Sequence, residues 1–458
     1  MTLWKPRIAA TSRYKHQGIV DALTADIAAG LLTSGDALPP QREIARQLGV
    51  DLTTVTRALN EARRLDLIEA RTGSGTFVKQ QPVSIVATPV AELDLSMNIP
   101  PQPAAARLPE RIAEGISALL AGPSGLFLSY QEVTGTEATR HAAAQWLTPR
   151  FGRAPSPDSI LVAGGAQSAL FAICGLVAAR GAICAGAHTY PGLKSVAATL
   201  GIALHPLAMD QFGILPQAFE QCCRDHAPRA LYIVPSIDNP TTATMPLKRR
   251  QEMVEIARRY SIVIVEDDPY AELLGEPLPA LASLAPEITW HIATLSKCAT
   301  PALRAAFVAC PSALDVLKLT SSLRASNPGA SPLLAALTTS WIESGTLRQI
   351  ASAVREESRA RQSLAAVILK DWHYAAEPAG HHLWLTLPEH WKAAEFAALA
   401  RRSALGIVAA PAFSVGTSSD EAVRVSLGAA PDRPRLEQGL LLLDRLLHEP
   451  QFSTGLIV

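Results

Sequence analysis

The chain has 458 residues, 48% hydrophobic and 18% charged, with 41 Lys/Arg balancing 41 Asp/Glu. That length holds two or three domains with ample core, and a zero net charge excludes a global pull towards nucleic acid or membrane, so any basic surface must be local. No apolar run reaches membrane-spanning length, the first residues lack a signal peptide's apolar stretch, and six cysteines without C-x-x-C spacing exclude a disulfide scaffold; a reduced, cytoplasmic protein is expected.

Residues 13 to 79 read as a separate module. Ile19, Leu23 and Ile27 recur every four residues on one helical stripe, and Gly30 can end that helix. Turn chemistry at Ser34-Gly35-Asp36-Ala37-Leu38-Pro39-Pro40 precedes a short helix from Gln41 to Leu48, closed by Gly49. Asp51 is a fair N-cap for a third helix with Val55, Leu59, Ala62 and Leu65 inward. Leu67 to Ala70 and Thr76 to Lys79 alternate like two strands of a wing. The order is that of a winged helix-turn-helix, whose third helix lies in the major groove with its N-terminal residues facing base edges.

Leu38-Pro39-Pro40-Gln41-Arg42-Glu43, Leu48-Gly49-Val50, Thr53-Thr54-Val55 and Gly73-Ser74-Gly75-Thr76-Phe77-Val78 resemble the GntR regulator superfamily. The resemblance implies double-stranded promoter DNA as partner, with Arg42, Thr53, Thr54, Thr56 and Arg57 on it and Gly73 of the wing approaching the minor groove. Many relatives have Ser-Arg where this chain has Asp51-Leu52, so their base preference does not carry over. Residues 1 to 79 hold eleven Lys/Arg against eight Asp/Glu, a balance of +3, which supports DNA only mildly; docking onto a protein is the alternative.

Residues 80 to 94 read as a linker, without amphipathic period, and a proline-dense arm, Ile99-Pro100-Pro101-Gln102-Pro103, leads into a large domain over 95–329. There Ile160 to Ala163 is a strand running into Gly164-Gly165-Ala166-Gln167-Ser168, a turn opening a helix and aiming backbone N–H groups at an anion. A strand over Ala230 to Val234 runs into Pro235-Ser236-Ile237-Asp238-Asn239-Pro240-Thr241, and Ile262 to Glu266 runs into Asp267-Asp268-Pro269-Tyr270. A carboxylate at a strand end can keep a pyridinium protonated, and a tyrosine three residues on can reach a ring hydroxyl. Thr289 to Ala293 is a buried strand after which Lys297 emerges; a partly desolvated lysine there loses proton affinity and becomes a nucleophile suited to a Schiff base. Arg304, seven residues on, can fork a phosphate. Ser-Lys with a later Arg is also what a solvated loop carries, and Cys298 reads as a packing residue before a second nucleophile. From 330 to 458 the pattern turns to helices, notably Thr346 to Lys370, then strands at His381 to Leu387 and Val423 to Leu427: a smaller α+β domain.

Residues from about 95 to 430 resemble the fold-type I aminotransferases, which bind pyridoxal 5′-phosphate. The resemblance implies an α/β PLP-dependent transferase fold with a mostly parallel central sheet. It implies Lys297 as the cofactor-bonding lysine, Asp267 as partner of the ring nitrogen, and Asn239 and Tyr270 on the ring oxygen. Tyr190 of Thr189-Tyr190-Pro191-Gly192 matches the stacking aromatic, and Ala166, Gln167, Ser296 and Arg304 match the phosphate cup. Tyr130 resembles the tyrosine reaching a neighbouring subunit, hence a homodimer, and Arg424 the clamp for an effector's carboxylate. No residue is assigned to metal.

Winged helix and aminotransferase-like domain in one chain resemble MocR-type regulators. That implies a PLP-dependent transcriptional regulator sensing PLP or an amino compound through aldimine chemistry at Lys297. No residue is assigned as catalytic, because Thr242 and Ala302 replace glycines of the family motifs, which places sensing above turnover. A working aminotransferase with a GntR-type appendage, and a scaffold that never loads cofactor, are the alternatives.

Overall fold

The computed structural model describes residues 4–8, 14–28, 32, 35–64, 67–71, 75–79, 93–122, 129, 131–179, 181–276, 278–326, 329–416 and 420–449. Contacts divide the chain into two units, 1–89 and 90–458.

In the first unit, α1 (Lys15–Ala28), α2 (Gln41–Leu48) and α3 (Leu52–Arg64) precede an antiparallel ribbon of β1 (Ile68–Arg71) and β2 (Gly75–Val78), with Ile68 opposite Val78. Ile19 and Leu23 of α1, Ile44 of α2, and Val55, Leu59 and Ala62 of α3 meet Ile68 and Val78 in one core. Helical turns bring every third or fourth residue to the inner face, and those positions are apolar. The turn before α2 joins the ribbon, since Ala37 bridges Phe77 and Leu38 N–H donates to the Thr76 carbonyl. The helix-turn-helix and wing are thus as the sequence predicts; Gly73 lies outside the described residues.

The second unit opens with β3 (Leu93–Asp94), α4 (Leu108–Ala121) and α5 (Glu137–Phe151). Next come β4 (Ile160–Ala163), α6 (Ala166–Val177), β5 (Ala182–Gly186), α7 (Pro191–Leu200), β6 (Ala203–Leu207), a small hairpin of β7 (Met209–Asp210) and β8 (Gly213–Ile214), and α8 (Pro216–His226). They are followed by β9 (Ala230–Ile233), α9 (Leu247–Arg259), β10 (Val263–Asp267), α10 (Leu281–Leu284), β11 (Thr289–Thr294), β12 (Ala306–Ala309), α11 (Ala313–Ser326), α12 (Pro332–Glu343) and α13 (Thr346–Ile368). Seven strands form one sheet in the order β4-β12-β11-β10-β9-β5-β6, parallel except for β12. β4, β9 and β11 are buried along their whole length, which explains why they read as unbroken apolar runs: helices cover both faces. β4, β5, β9, β10 and β11 all end on one edge, where open α/β sheets place their ligands.

A second core surrounds an antiparallel sheet, β13 (Tyr374–Ala376), β14 (His382–Thr386), β17 (Ala422–Ser426) and β16 (Val408–Ala409), covered by α14 (Ala393–Arg402) and α15 (Arg433–His448).

Two predicted boundaries are corrected. Leu93 and Asp94, read as linker, pair in parallel with β15 (Leu405–Gly406); a Cβ on Gly406 would stand 2.4 Å from Asp94 Oδ1, so only glycine admits the arm there. The division at 329/330 also moves. Leu337, Trp341, Leu347, Ile350 and Val354 belong to the large-domain core and Ala365 to the small one, so the change of domain falls inside α13.

Candidate functional site

Lys297 stands three residues beyond β11, and its amine donates to the backbone carbonyl of Asn98. Burial, reinforced by the charge of Arg424, lowers it to about 8, so about a tenth is free amine at pH 7, far more than for an exposed lysine. Asp267 ends the adjacent strand. Its Oδ2 accepts from the Tyr232 hydroxyl at 2.8 Å, while Oδ1 is buried without a partner. Burial pushes this carboxyl up to about 6. An unpaired buried acceptor costs about 1–3 kcal/mol, so a protonated ring nitrogen that filled it would be held firmly.

The Tyr270 hydroxyl accepts from Asn98 Nδ2 at 2.9 Å, leaving its own hydrogen for a further acceptor. Tyr190 caps the start of α7; burial and then the Asp267 charge raise its phenol, and Arg304 and Arg424 act on it in the opposite sense. The anion cup is α6's first turn. Gly165 has φ +123°, and a Cβ there would lie 3.3 Å from Arg304 Nη2, so the missing side chain lets the guanidinium approach. The N–H groups of Ala166 and Gln167 have no intrahelical acceptor. The Arg304 guanidinium makes no hydrogen bond or ion pair among the described residues, while its backbone N–H donates to the Pro301 carbonyl. The Gln167 side chain donates to the Gly192 carbonyl at 3.2 Å, and the Ser296 hydroxyl lies 3.1 Å from Thr294 Oγ1. This donor set, together with the orphaned Asp267 oxygen and the amine of Lys297, fits a phosphorylated pyridine aldehyde.

Arg424 on β17 donates to Asn239 Oδ1 at 2.8 Å and to the Ser96 carbonyl, and stacks over Phe413 at 4.9 Å. Its Nε has no partner. Thus Asn239, predicted on the ring oxygen, meets Arg424 first. Tyr130 lies outside the described residues.

Several site residues escaped the sequence reading. Asn98 touches three site groups: its carbonyl takes Lys297, and its Nδ2 meets Tyr270 and His382 Nδ1 at 3.0 Å. His382 must then carry its proton on Nε2, which donates to the Asp238 carbonyl at 3.1 Å; burial and the Arg424 charge keep the ring neutral. His381 Nε2 lies 2.6 Å from the Lys297 carbonyl. Beneath the site Arg150 pairs with Asp268 at 2.6 Å, and Glu266 accepts from Leu281 N–H, Ala282 N–H and His291. Adjacent histidines opening a strand are the one visible signal for His381 and His382.

The loop around Asn239 is bracketed by two β-branched residues at positive φ, Ile237 (+52°) and Thr242 (+65°). The glycine lost at 242 therefore does leave a side chain in left-handed backbone. The one lost at 302 does not: Ala302 sits in a short 3₁₀ turn, and Arg304 takes φ +46° instead.

In the first unit Arg42, Thr53 and Arg57 are exposed, and neither arginine is ion-paired among the described residues. Thr54 is half-buried, with its N–H on the Asp51 carbonyl. Thr56 is engaged within the fold. Its hydroxyl lies 2.9 Å from both Gln41 Oε1 and the Leu52 carbonyl, tying α2 to α3. Leu52, Thr53, Thr56, Arg57, Asn60, Glu61 and Arg64 line an open furrow along α3 with His16 and Gln17.

Residues 91–441 match the family Aminotransferase class I and II, and residues 15–78 match Bacterial regulatory proteins, gntR family. The HTH-type transcriptional regulator YdeF of Bacillus subtilis is 33% identical over 457 residues, covering 97% of each chain. The probable rhizopine catabolism regulatory protein MocR of Rhizobium meliloti is 28% identical over 393 residues, 78% of each chain. Among solved structures, LysN, the alpha-aminoadipate aminotransferase of Thermus thermophilus complexed with N-(5′-phosphopyridoxyl)-L-leucine, superposes with TM-score 0.71 at 24% identity over 78% of this chain and 92% of that one, a likeness of fold.

Proposed function

The chain belongs to the class I and II aminotransferase family and carries a gntR-family module ahead of that domain, as MocR-type regulators do; from that premise we propose that it is a transcriptional regulator that binds pyridoxal 5′-phosphate and switches on an amino compound. The observation that carries this is the convergence of Lys297, Asp267, Tyr270 and Arg304 at one sheet edge, in a chain whose first unit is a winged helix.

When bound, pyridoxal phosphate supplies an aldehyde that condenses reversibly with amines. Lys297 provides the protein's own amine for that bond, and burial keeps it partly deprotonated. Asp267 holds the ring nitrogen, Tyr270 donates to the ring oxygen, and Tyr190 stacks on the ring. The α6 N-terminus (Ala166, Gln167), Ser296 and Arg304 take the phosphate. Arg424 holds an effector carboxylate, with Asn239 orienting the guanidinium. Because Arg424 lies in the small domain and Lys297 in the large one, an effector that touches both favours one domain arrangement over another, which is how a ligand acquires differential affinity. Tyr130 completes the neighbouring subunit's site in a homodimer. Arg42, Thr53, Thr54 and Arg57 contact promoter DNA, with Gly73 at the minor groove. The described residues contain no helix long and apolar enough to cross a membrane, and we place the protein in the cytoplasm.

Sensing is favoured over turnover by the Asn239 loop, where Thr242 stands at φ +65° in place of the family's glycine. Absorbance titration with pyridoxal phosphate and then a panel of amines, followed by DNA binding at each stage, tests the reading. The expected result is a visible band that shifts with one class of amine and an operator affinity that shifts with it. Steady amino-group transfer to 2-oxo acids, without effect on DNA binding, would favour an enzyme instead.

A further inference from the structure

We infer that Tyr232 is a positioning residue for the cofactor: by donating to Asp267 it keeps that carboxylate charged and presents the free oxygen to the ring nitrogen. The inference rests on the reading that pyridoxal phosphate occupies this site.

The geometry follows from the sheet. β9 and β10 are parallel neighbours with Tyr232 opposite Val265. Val265 and Asp267 share a face, two residues apart, so the phenol of Tyr232 reaches diagonally along the strand to Asp267 Oδ2 at 2.8 Å. Both side chains are buried. Burial and the Asp267 charge raise the Tyr232 phenol, which therefore only donates. With Oδ2 engaged, Oδ1 remains the open acceptor. Asp268 opposes the charge on Asp267, while His291 and Lys297 favour it, and the phenols of Tyr190 and Tyr270 lie within its field. After burial itself, the Tyr232 hydrogen bond is the largest influence on this carboxyl.

The sign is fixed. Asp267 already stands up at about 6. Without the phenolic hydrogen it rises further, into the neutral range, and a protonated carboxyl offers the ring nitrogen no charge. The hydrogen bond to a charged group is worth enough to change affinity about tenfold or more.

The test is cofactor affinity, read by absorbance titration of the full chain from pH 6 to 8.5. Tyr232→Phe should weaken binding about tenfold near pH 7, and the weakening should shrink as pH rises. Incorporation of 3-fluorotyrosine at 232, a stronger donor of nearly unchanged volume, should move the pH midpoint the other way. In an Asp267→Asn background neither replacement should matter. The cofactor's own ionisations cancel in these comparisons. Superimposable pH profiles for wild type, Tyr232→Phe and the fluorinated protein would overturn the inference. Failure of the wild type to bind pyridoxal phosphate at any pH would instead overturn the functional reading beneath it.

Discussion

Asp267 and Asp268 are adjacent, both buried, and held in opposite ways. Asp268 has the Arg150 guanidinium at 2.6 Å, whereas Asp267 has only a phenolic donor; each keeps one buried oxygen without a partner. A carboxyl at about 6 when folded and about 3.8 when unfolded binds its proton more tightly in the native state. Stability therefore falls as pH rises from about 4 to about 6, and the deficit, about 3 kcal/mol, persists above that. Asp267→Asn should raise the thermal midpoint of the cofactor-free protein at pH 7.5 but not at pH 4, and should weaken cofactor binding about tenfold to hundredfold. Asp268→Asn should instead destabilise by about 3–5 kcal/mol, because it strands a buried arginine. Similar losses of cofactor affinity in both variants would mean that the ring nitrogen sits elsewhere. Lys297→Ala should abolish covalent attachment, read by borohydride treatment and peptide mass analysis; the label on any other lysine would refute the assignment.

Single elements carry separable tests. The segment from Ile237 to Thr242 holds two β-branched residues in a backbone region that costs such residues about 1–3 kcal/mol. Thr242→Gly should stabilise the protein by about 1 kcal/mol or more in thermal unfolding; a loss of stability would show that the threonine side chain holds the loop. In the winged helix, Arg42 makes no ion pair among the described residues, and Thr56 is tied to Gln41. Arg42→Ala should lower the salt slope of DNA binding by about one unit with the fold intact. Thr56→Val should cost about 1 kcal/mol of stability and reach DNA only through it. An unaltered salt slope for Arg42→Ala would remove that residue from the interface.

At the scale of the molecule, the sheet and its edge are legible because their strands are buried on both faces and so appear as short apolar runs ending in polar turns. Asp267 ends such a run and Lys297 comes three residues after one, while their roles, and Arg304 ten residues past β11, are marked by the family resemblance. The helix-turn-helix is legible for the complementary reason, a one-sided apolar period broken by Gly49. Tyr232 is not legible, since nothing in Ala230-Leu231-Tyr232-Ile233 says that a phenol in mid-strand reaches a carboxylate two residues along the neighbouring strand. Asn98 is hidden differently. Much of its part is played by its backbone carbonyl, which every residue has, and its partners lie 172 to 284 residues away. The domain boundary is not legible because α13 is one continuous helix whose two halves feed different cores.

The arm has a thermodynamic consequence. The carbonyls of Ser96 and Asn98 hold Arg424 and Lys297, the two cations proposed above for a ligand's carboxylate and for the cofactor. Covalently attached, they act as a tethered competitor with its own effective concentration. A ligand that takes the donors now bonded to those carbonyls competes with the arm, and its apparent affinity is lowered by the fraction of molecules in which the arm is seated. Leu95 stays fixed, bonded through its N–H to the Gly406 carbonyl and through its carbonyl to Ser426 N–H, so release should begin just beyond it. Hydrogen exchange should accelerate at residues 96–99 when a carboxylate effector binds and not at Leu95; unchanged exchange there would mean that the ligand enters without unseating the arm.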